Sequence, residues 1–388
     1  VLVVDPIFRG SRLVDSMLVC RALAERGMEA HLLTREELPG AHYDEMFRGV
    51  AHRLHASVGM PPGVWYAKLG RGVIGECVRR ARELVGRFGC GGIFFTGWNE
   101  FFPRLLGVPG VAACLAAPSM AIDYDPAFWL GADAGEPAGA RVKRAAKRWA
   151  TRCALGRFPG LNFVLHDERI EGSEIPEKIR GRFHYLPDPS PEIEEAPDCR
   201  RGPLRLLFPG RQTSRKGLSD LVEALGRPGF PAEIQVRVVG RLAPECEGMR
   251  GALEGDARVD WTDGFVAQEA IEEEYRRCDY VVLPYTREFH CSSGVLAAAA
   301  AAGRPVVATD HGLVGWRVAK YGLGFSYPSR DVGRLVELLR ELPGRNDTGY
   351  ARLAAGARAF AGATSAAVFR EKLIELMRRR GMIPGGAG

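Results

Sequence analysis

The stretch Pro209–Gly217 reads PGRQTSRKG and sets three cations, Arg211, Arg215 and Lys216, within six residues. Gly210 lets the chain turn sharply. Arg211 offers a planar fork of donors matched to phosphate oxygens, and Lys216 adds a point charge. The same loop also reads as a polar surface turn with solvated cations. A second stretch, EFHCSSGVL at 288–296, supplies Ser292 or Ser293 as an N-cap. The small residues behind it, from Gly294 and Val295 onward, leave the first backbone N–H groups of a helix open to a ligand. Such a helix end favours anions. Alone, it reads better as an ordinary capped helix. Two anion cradles in one half of the chain make a bound diphosphate the stronger reading.

Other candidates carry weaker signals. Gly10 and Ser11, flanked by Arg9 and Arg12, follow the first apolar run and suit an acceptor or a phosphate. Asp123 and Asp125, in AIDYDP, are polar residues after a strand and also read as turn acids. His52 and His55 lie three apart on an expected helix, a spacing compatible with metal. No carboxylate or cysteine partner is evident, so they read as surface histidines and no metal site is expected. Residues 141–152 hold six Lys and Arg, read either as a solvated face or as a helix lying on anionic lipid headgroups.

These residues need elements to hold them. VLVVDP, EAHLLT, GGIFFTG, VAACLAAPS and LNFVLHD read as buried parallel strands, with helices expected over 64–88 and 140–155. Residues 187–203 hold five prolines and five acids and read as a linker. Beyond it, LRLLFPG, EIQVRVVG, ARVDWTD, DYVVLPY, PVVATD and GFSYP alternate with helical stretches, including one over 268–277. Strict alternation means a parallel sheet with right-handed crossovers. The expectation is an α/β protein of two doubly wound domains facing a cleft. Ligands then bind beyond the carboxyl ends of the strands.

At this point the residues resemble a known family. The second half is similar to the C-terminal domain of GT-B glycosyltransferases, in particular glycosyltransferase family 4. The match rests on Gly210, Arg211, Lys216 and Gly217, on Asp279 to Pro284, and on Gly303-Arg304-Pro305-Val306-Val307-Ala308-Thr309-Asp310. Leu186-Pro187-Asp188 stands at the family's linker. The resemblance covers about 186–345; the first 185 residues match in general layout. It implies sugar transfer from a nucleotide diphosphate sugar with retention, without metal and without a cofactor. Arg211 and Lys216 would bind the diphosphate and stabilise the leaving group. Ser292, Ser293, Gly294 and Val295 would share that contact, and Phe265 and Val266, after Gly264, would lie near the base. The family's Glu-x7-Glu pair falls on His290 and Ala298, with Glu288 two residues early. His290 keeps a hydrogen-bonding group for a sugar hydroxyl; Ala298 has none for a ribose. The implied domains are an acceptor-binding 1–186, a nucleotide-sugar-binding 187–350, and closing helices over 351–388 that pack back on the first domain. The acceptor would be a sugar or a lipid-linked sugar.

Composition bounds these readings. At 388 residues with 46% hydrophobic, the chain is too long for one ordinary core. A net charge of +6 favours anionic partners such as nucleotides, phosphorylated substrates or an acidic membrane surface, and nucleic acid is not expected. Nine cysteines without a CxxC pair point away from a disulfide framework and toward a cytoplasmic protein, with the basic 141–152 segment offering a peripheral contact to the inner face of a membrane. No apolar run approaches the ~20 residues of a membrane span, and no signal peptide is visible. Two other functions fit: a non-catalytic sugar-nucleotide-binding protein, favoured by Ala298, and a GT-B-shaped sugar-nucleotide epimerase.

Overall fold

Short, mostly apolar runs become the strands of two parallel sheets. The computed structural model describes residues 1–7, 11–36, 41–59, 70–97, 107–124, 129, 138–173, 175–193, 202–344 and 346–385. The chain divides into two units: residues 1–187 with 367–388, and residues 188–366.

Unit 1 holds strands β1 Leu2–Asp5, β2 His31–Arg35, β3 Arg53–Val58, β4 Ile93–Phe95, β5 Ser119–Ile122, β6 Leu161–Leu165 and β7 Phe183–Tyr185. All pair in parallel in the order β3-β2-β1-β4-β5-β6-β7. The connecting helices are α1 Ser11–Ala24, α2 Ala41–Met46, α3 Arg71–Phe88, α4 Val111–Cys114, α5 Ala138–Arg157 and α6 Glu177–Arg180. The inner strands are apolar along their length because helices cover both faces. Ile74, Cys77, Val78, Ala81 and Leu84 of α3 press one apolar stripe onto this core.

Unit 2 holds β8 Arg205–Pro209, β9 Gln235–Val239, β10 Val259–Thr262, β11 Tyr280–Leu283, β12 Val306–Thr309 and β13 Gly324–Tyr327. Their order is β10-β9-β8-β11-β12-β13, again all parallel. Its helices are α7 Leu218–Gly226, α8 Arg250–Glu254, α9 Gln268–Arg277, α10 Gly294–Ala301, α11 Gly312–Tyr321, α12 Val332–Arg340 and α13 Thr348–Ala363. The strand order reverses between β8 and β11. In such a sheet a ligand site is expected at the carboxyl ends of the two strands beside the reversal.

The last helix, α14 Ala366–Arg379, lies in unit 1, whereas α13 lies in unit 2. Phe369, Leu373 and Met377 of α14 are fully buried, and Arg370 bonds Glu25 at 3.1 Å.

Three expectations about elements are corrected. VAACLAAPS is not one strand: Val111–Cys114 is a helical turn begun by left-handed Gly110, and the strand starts at Ser119. Alanine favours the helix, so an apolar run alone did not fix the type. Residues 53–58 form strand β3, not a helix, so His52 and His55 do not share a helical face. β3 is an edge strand with mixed burial, which hides its period. The helix expected from residue 64 is seen from Arg71, with 60–69 outside the described residues.

Candidate functional site

The loop after β8 folds back on the loop after β11. Gly217 has φ 77°, and a Cβ there would stand 1.7 Å from Pro284 O. Only glycine permits that approach. Thr286 completes the junction by donating its N–H (2.9 Å) and its hydroxyl (3.3 Å) to Arg215 O. The Arg215 guanidinium lies 5.5 Å over the Phe289 ring. Fully buried Gln212 holds the turn from inside, its Nε2 donating to Gly210 O at 2.6 Å. Lys216 closes a single 3-10 turn, Ser214–Lys216, and left-handed Gly217 separates it from α7. It thus sits just before the helix.

The decisive geometry is at Gly210, whose φ is 88°. A Cβ built there would lie 2.8 Å from Lys216 Nζ and 3.9 Å from Val295 Cγ2. The cationic loop and the tip of α10 therefore meet. Burial and the neighbouring Arg215 push the Lys216 ammonium down to about 8, with the Cys291 thiol opposing. A cation held short of water is stabilised by any anion that reaches it.

Ser293 caps α10 by accepting from Leu296 N at 3.2 Å. The buried Tyr285 hydroxyl holds the cap, 3.0 Å from Ser293 Oγ. Thr309, at the end of β12, donates to Tyr285 O at 2.9 Å, and His311 donates to Thr286 O at 2.8 Å. Gly294 is exposed with open space around it. Ser293 takes the Leu296 N–H, and the helix offers no acceptor for the N–H groups ahead of it, which remain available to a ligand.

The remaining unit 2 candidates spread around this point. Glu288 is exposed; His290, Cys291 and Ser292 are partly buried on the same loop. Arg211 is exposed beside Gly210. Ala298 is partly buried on α10, one turn beyond Val295. Val266 packs on the apolar cluster that also holds Val295 and Ala298, and Phe265 beside it is 82% exposed.

In unit 1, Gly10 and Arg9 lie outside the described residues, as does Asp125. Ser11 opens α1. Asp123 is buried just after β5, its N–H donating to Val164 O at 2.9 Å. Apart from Arg12, sequence reasoning missed its neighbours. Tyr124 donates to buried Asp15, the Arg12 guanidinium lies 5.7 Å over the Tyr124 ring, and Ser16 donates to Asp5 at 2.9 Å. His166, at the end of β6, is 5.7 Å from the Tyr124 ring and donates to Leu186 O at 2.9 Å. Burial and Asp15 push the Tyr124 phenol upward. The signal available was position alone: His166 directly follows β6, and Tyr124 lies two residues past β5. His55, by contrast, sits 3.2 Å from His31, and His52 sits 2.6 Å from the Tyr43 hydroxyl. Among the described residues no group of three or more His, Cys, Asp or Glu could hold a metal.

Residues 203–343 match the family of glycosyl transferases group 1. That group 1 segment runs from the start of β8 past α12 and contains both converging loops. Solved structures extend the likeness to the whole chain. HepE from Anabaena, solved with UDP and glucose, is 16% identical with a TM-score of 0.65, over 97% of this chain and 99% of that one. Sucrose-phosphate synthase from Thermosynechococcus elongatus is 15% identical with a TM-score of 0.66, over 97% and 98%. WaaG, a glycosyltransferase involved in lipopolysaccharide biosynthesis, is 16% identical with a TM-score of 0.60, over 100% of both chains. Among curated proteins none matches. The fold is GT-B, with two Rossmann-like domains, and its group 1 segment lies in unit 2. No helix among the described residues is long and apolar enough to cross a membrane.

Proposed function

We propose that the protein is a cytoplasmic, family 4-like glycosyltransferase that moves a hexosyl group from a nucleotide diphosphate sugar to an acceptor, with retention and without metal. The observation that carries this reading is the meeting of Lys216 Nζ and Val295 beside Gly210. A diphosphate at that point meets an ammonium, the Arg211 fork and the amides of α10's first turn. Negative charge grows on the departing diphosphate as the glycosidic bond breaks. Cations and dipoles already fixed in place stabilise that charge without reorganising. HepE was solved with UDP and UDP-glucose, so UDP is the first nucleotide to test. In this reading Phe265 and Val266 face the base, while Glu288, His290 and Ser292 face the sugar. The acceptor, a sugar or a lipid-linked sugar, is assigned to the carboxyl end of the unit 1 sheet, near Ser11 and Asp123.

Changing Arg211 and Lys216 together to Ala is expected to weaken UDP binding roughly a hundredfold or more, since two charge-assisted bonds disappear. Calorimetry reads this directly, and unchanged affinity would remove the assignment. Ala298 favours a second reading, a sugar-nucleotide-binding protein that does not catalyse transfer. Tight UDP binding with neither transfer nor donor hydrolysis would decide for that reading. Release of free sugar with a changed configuration, in the absence of acceptor, would indicate an epimerase.

A further inference from the structure

Helix α5 concentrates charge and apolar surface in one place. It holds seven of the chain's 53 Lys and Arg and none of its 47 Asp and Glu. The chain as a whole carries +6, so everything outside this helix sums to −1. The helix thus accounts for the whole positive excess.

Its exposed face is not merely solvated charge. Among the described residues three large hydrophobic side chains are exposed: Val142 and Trp149, each 69%, and Phe265. Val142 and Trp149 both lie on α5. Seven residues is almost two full turns, so they share one face. Ala145, Ala146 and Cys153 are also exposed and continue the stripe between and beyond them. Arg141 and Arg152 flank it on one side, Lys143 and Arg157 on the other, all four exposed. The inner face, with Ala150, Ala154 and Leu155 buried, holds the helix on unit 1.

An apolar stripe centred on Trp and edged by cations is complementary to the boundary of an anionic bilayer. Trp favours the headgroup level, and long cationic side chains keep their heads in the phosphate layer while their stems cover apolar surface. A polyanion alone would meet the cations and leave Val142 and Trp149 in water. We infer that α5 is a membrane-docking helix that seats Trp149 and Val142 in the interface of an anionic phospholipid bilayer. The inference is separate from sugar transfer, because vesicle binding is read without donor or acceptor.

The test uses the full chain and sedimentation with vesicles of mixed phosphatidylglycerol and phosphatidylcholine, against phosphatidylcholine alone. Binding to the anionic vesicles only, weakened by salt, is expected. V142S/W149S leaves the charge unchanged and should lower partitioning about tenfold or more. Replacing Arg141, Lys143, Arg152 and Arg157 by Gln should lower it roughly fivefold per cation. Matching melting temperatures check that the variants fold. Lipids brominated in the upper acyl chain should quench the wild-type emission more than that of W149F. Absence of binding to anionic vesicles, or binding indifferent to V142S/W149S, overturns the inference. So does tighter binding to single-stranded RNA than to vesicles, or a dimer in solution that Trp149→Ser disperses.

Discussion

Lys216 pairs a cost with a use. Its ammonium is driven down to about 8 by burial and Arg215, so the free protein holds a charge its surroundings disfavour. The folded value lies below the ordinary lysine value of 10.5, so the unfolded chain holds this proton more tightly than the fold does. Below pH 8 the side chain therefore subtracts from stability, and an anion beside it reverses the effect. Lys216→Met should raise Tm by roughly 2–4 °C per kcal/mol recovered, while UDP no longer raises it further. Calorimetric melts with and without UDP measure both halves. A lower Tm in the free variant would mean that the lysine stem, not its charge, matters to the fold.

At the level of elements, the site exists because two loops from strands flanking the reversal in the unit 2 sheet touch. Gly217 is where they touch, so Gly217→Ala should act across the junction. Its φ of 77° disfavours a side chain, and the Cβ would overlap Pro284 O. A destabilisation of about 2–4 kcal/mol is expected, with UDP affinity falling as the β8 loop withdraws from α10. Denaturant unfolding followed by UDP titration separates the two effects. Much of this region was legible beforehand. DYVVLPY and PVVATD are continuous apolar runs, and α9 falls at 268–277 because its polar face and breakers are clear. The Gly217–Pro284 contact was not legible, since it joins residues 67 apart through a glycine that reads as any loop glycine. β3 was misread because an edge strand needs only part of its surface buried, and RLHASV shows no clean alternation. The Asp15–Tyr124 pair was hidden by 109 residues of separation, with no local motif to announce it.

Across the whole molecule, acid is expected to act through buried His31 and half-buried His55, His184 and His311. Burial lowers His31, His55 and His311, and burial with Arg380, Arg379 and Arg182 takes His184 down to about 4. The unfolded chain takes up these protons near pH 6.5 and the folded chain resists, so stability is intact above 6.5 and drains between 6.5 and 4. His184 alone contributes on the order of 2 kcal/mol to that loss. Urea midpoints at pH 7, 5.5 and 4 follow it, and His184→Gln should flatten part of the decline. An equal decline in that variant would place the sensitivity elsewhere. The division of the chain has a further consequence. Unit 2 is bounded by residues 188 and 366, while α14 returns to unit 1. Its two ends lie side by side, with Ser190 N donating to Thr364 O at 2.8 Å. During synthesis the later-encoded half thus has all its parts first. The earlier half waits, with the seat for Phe369, Leu373 and Met377 uncovered, until α14 leaves the ribosome.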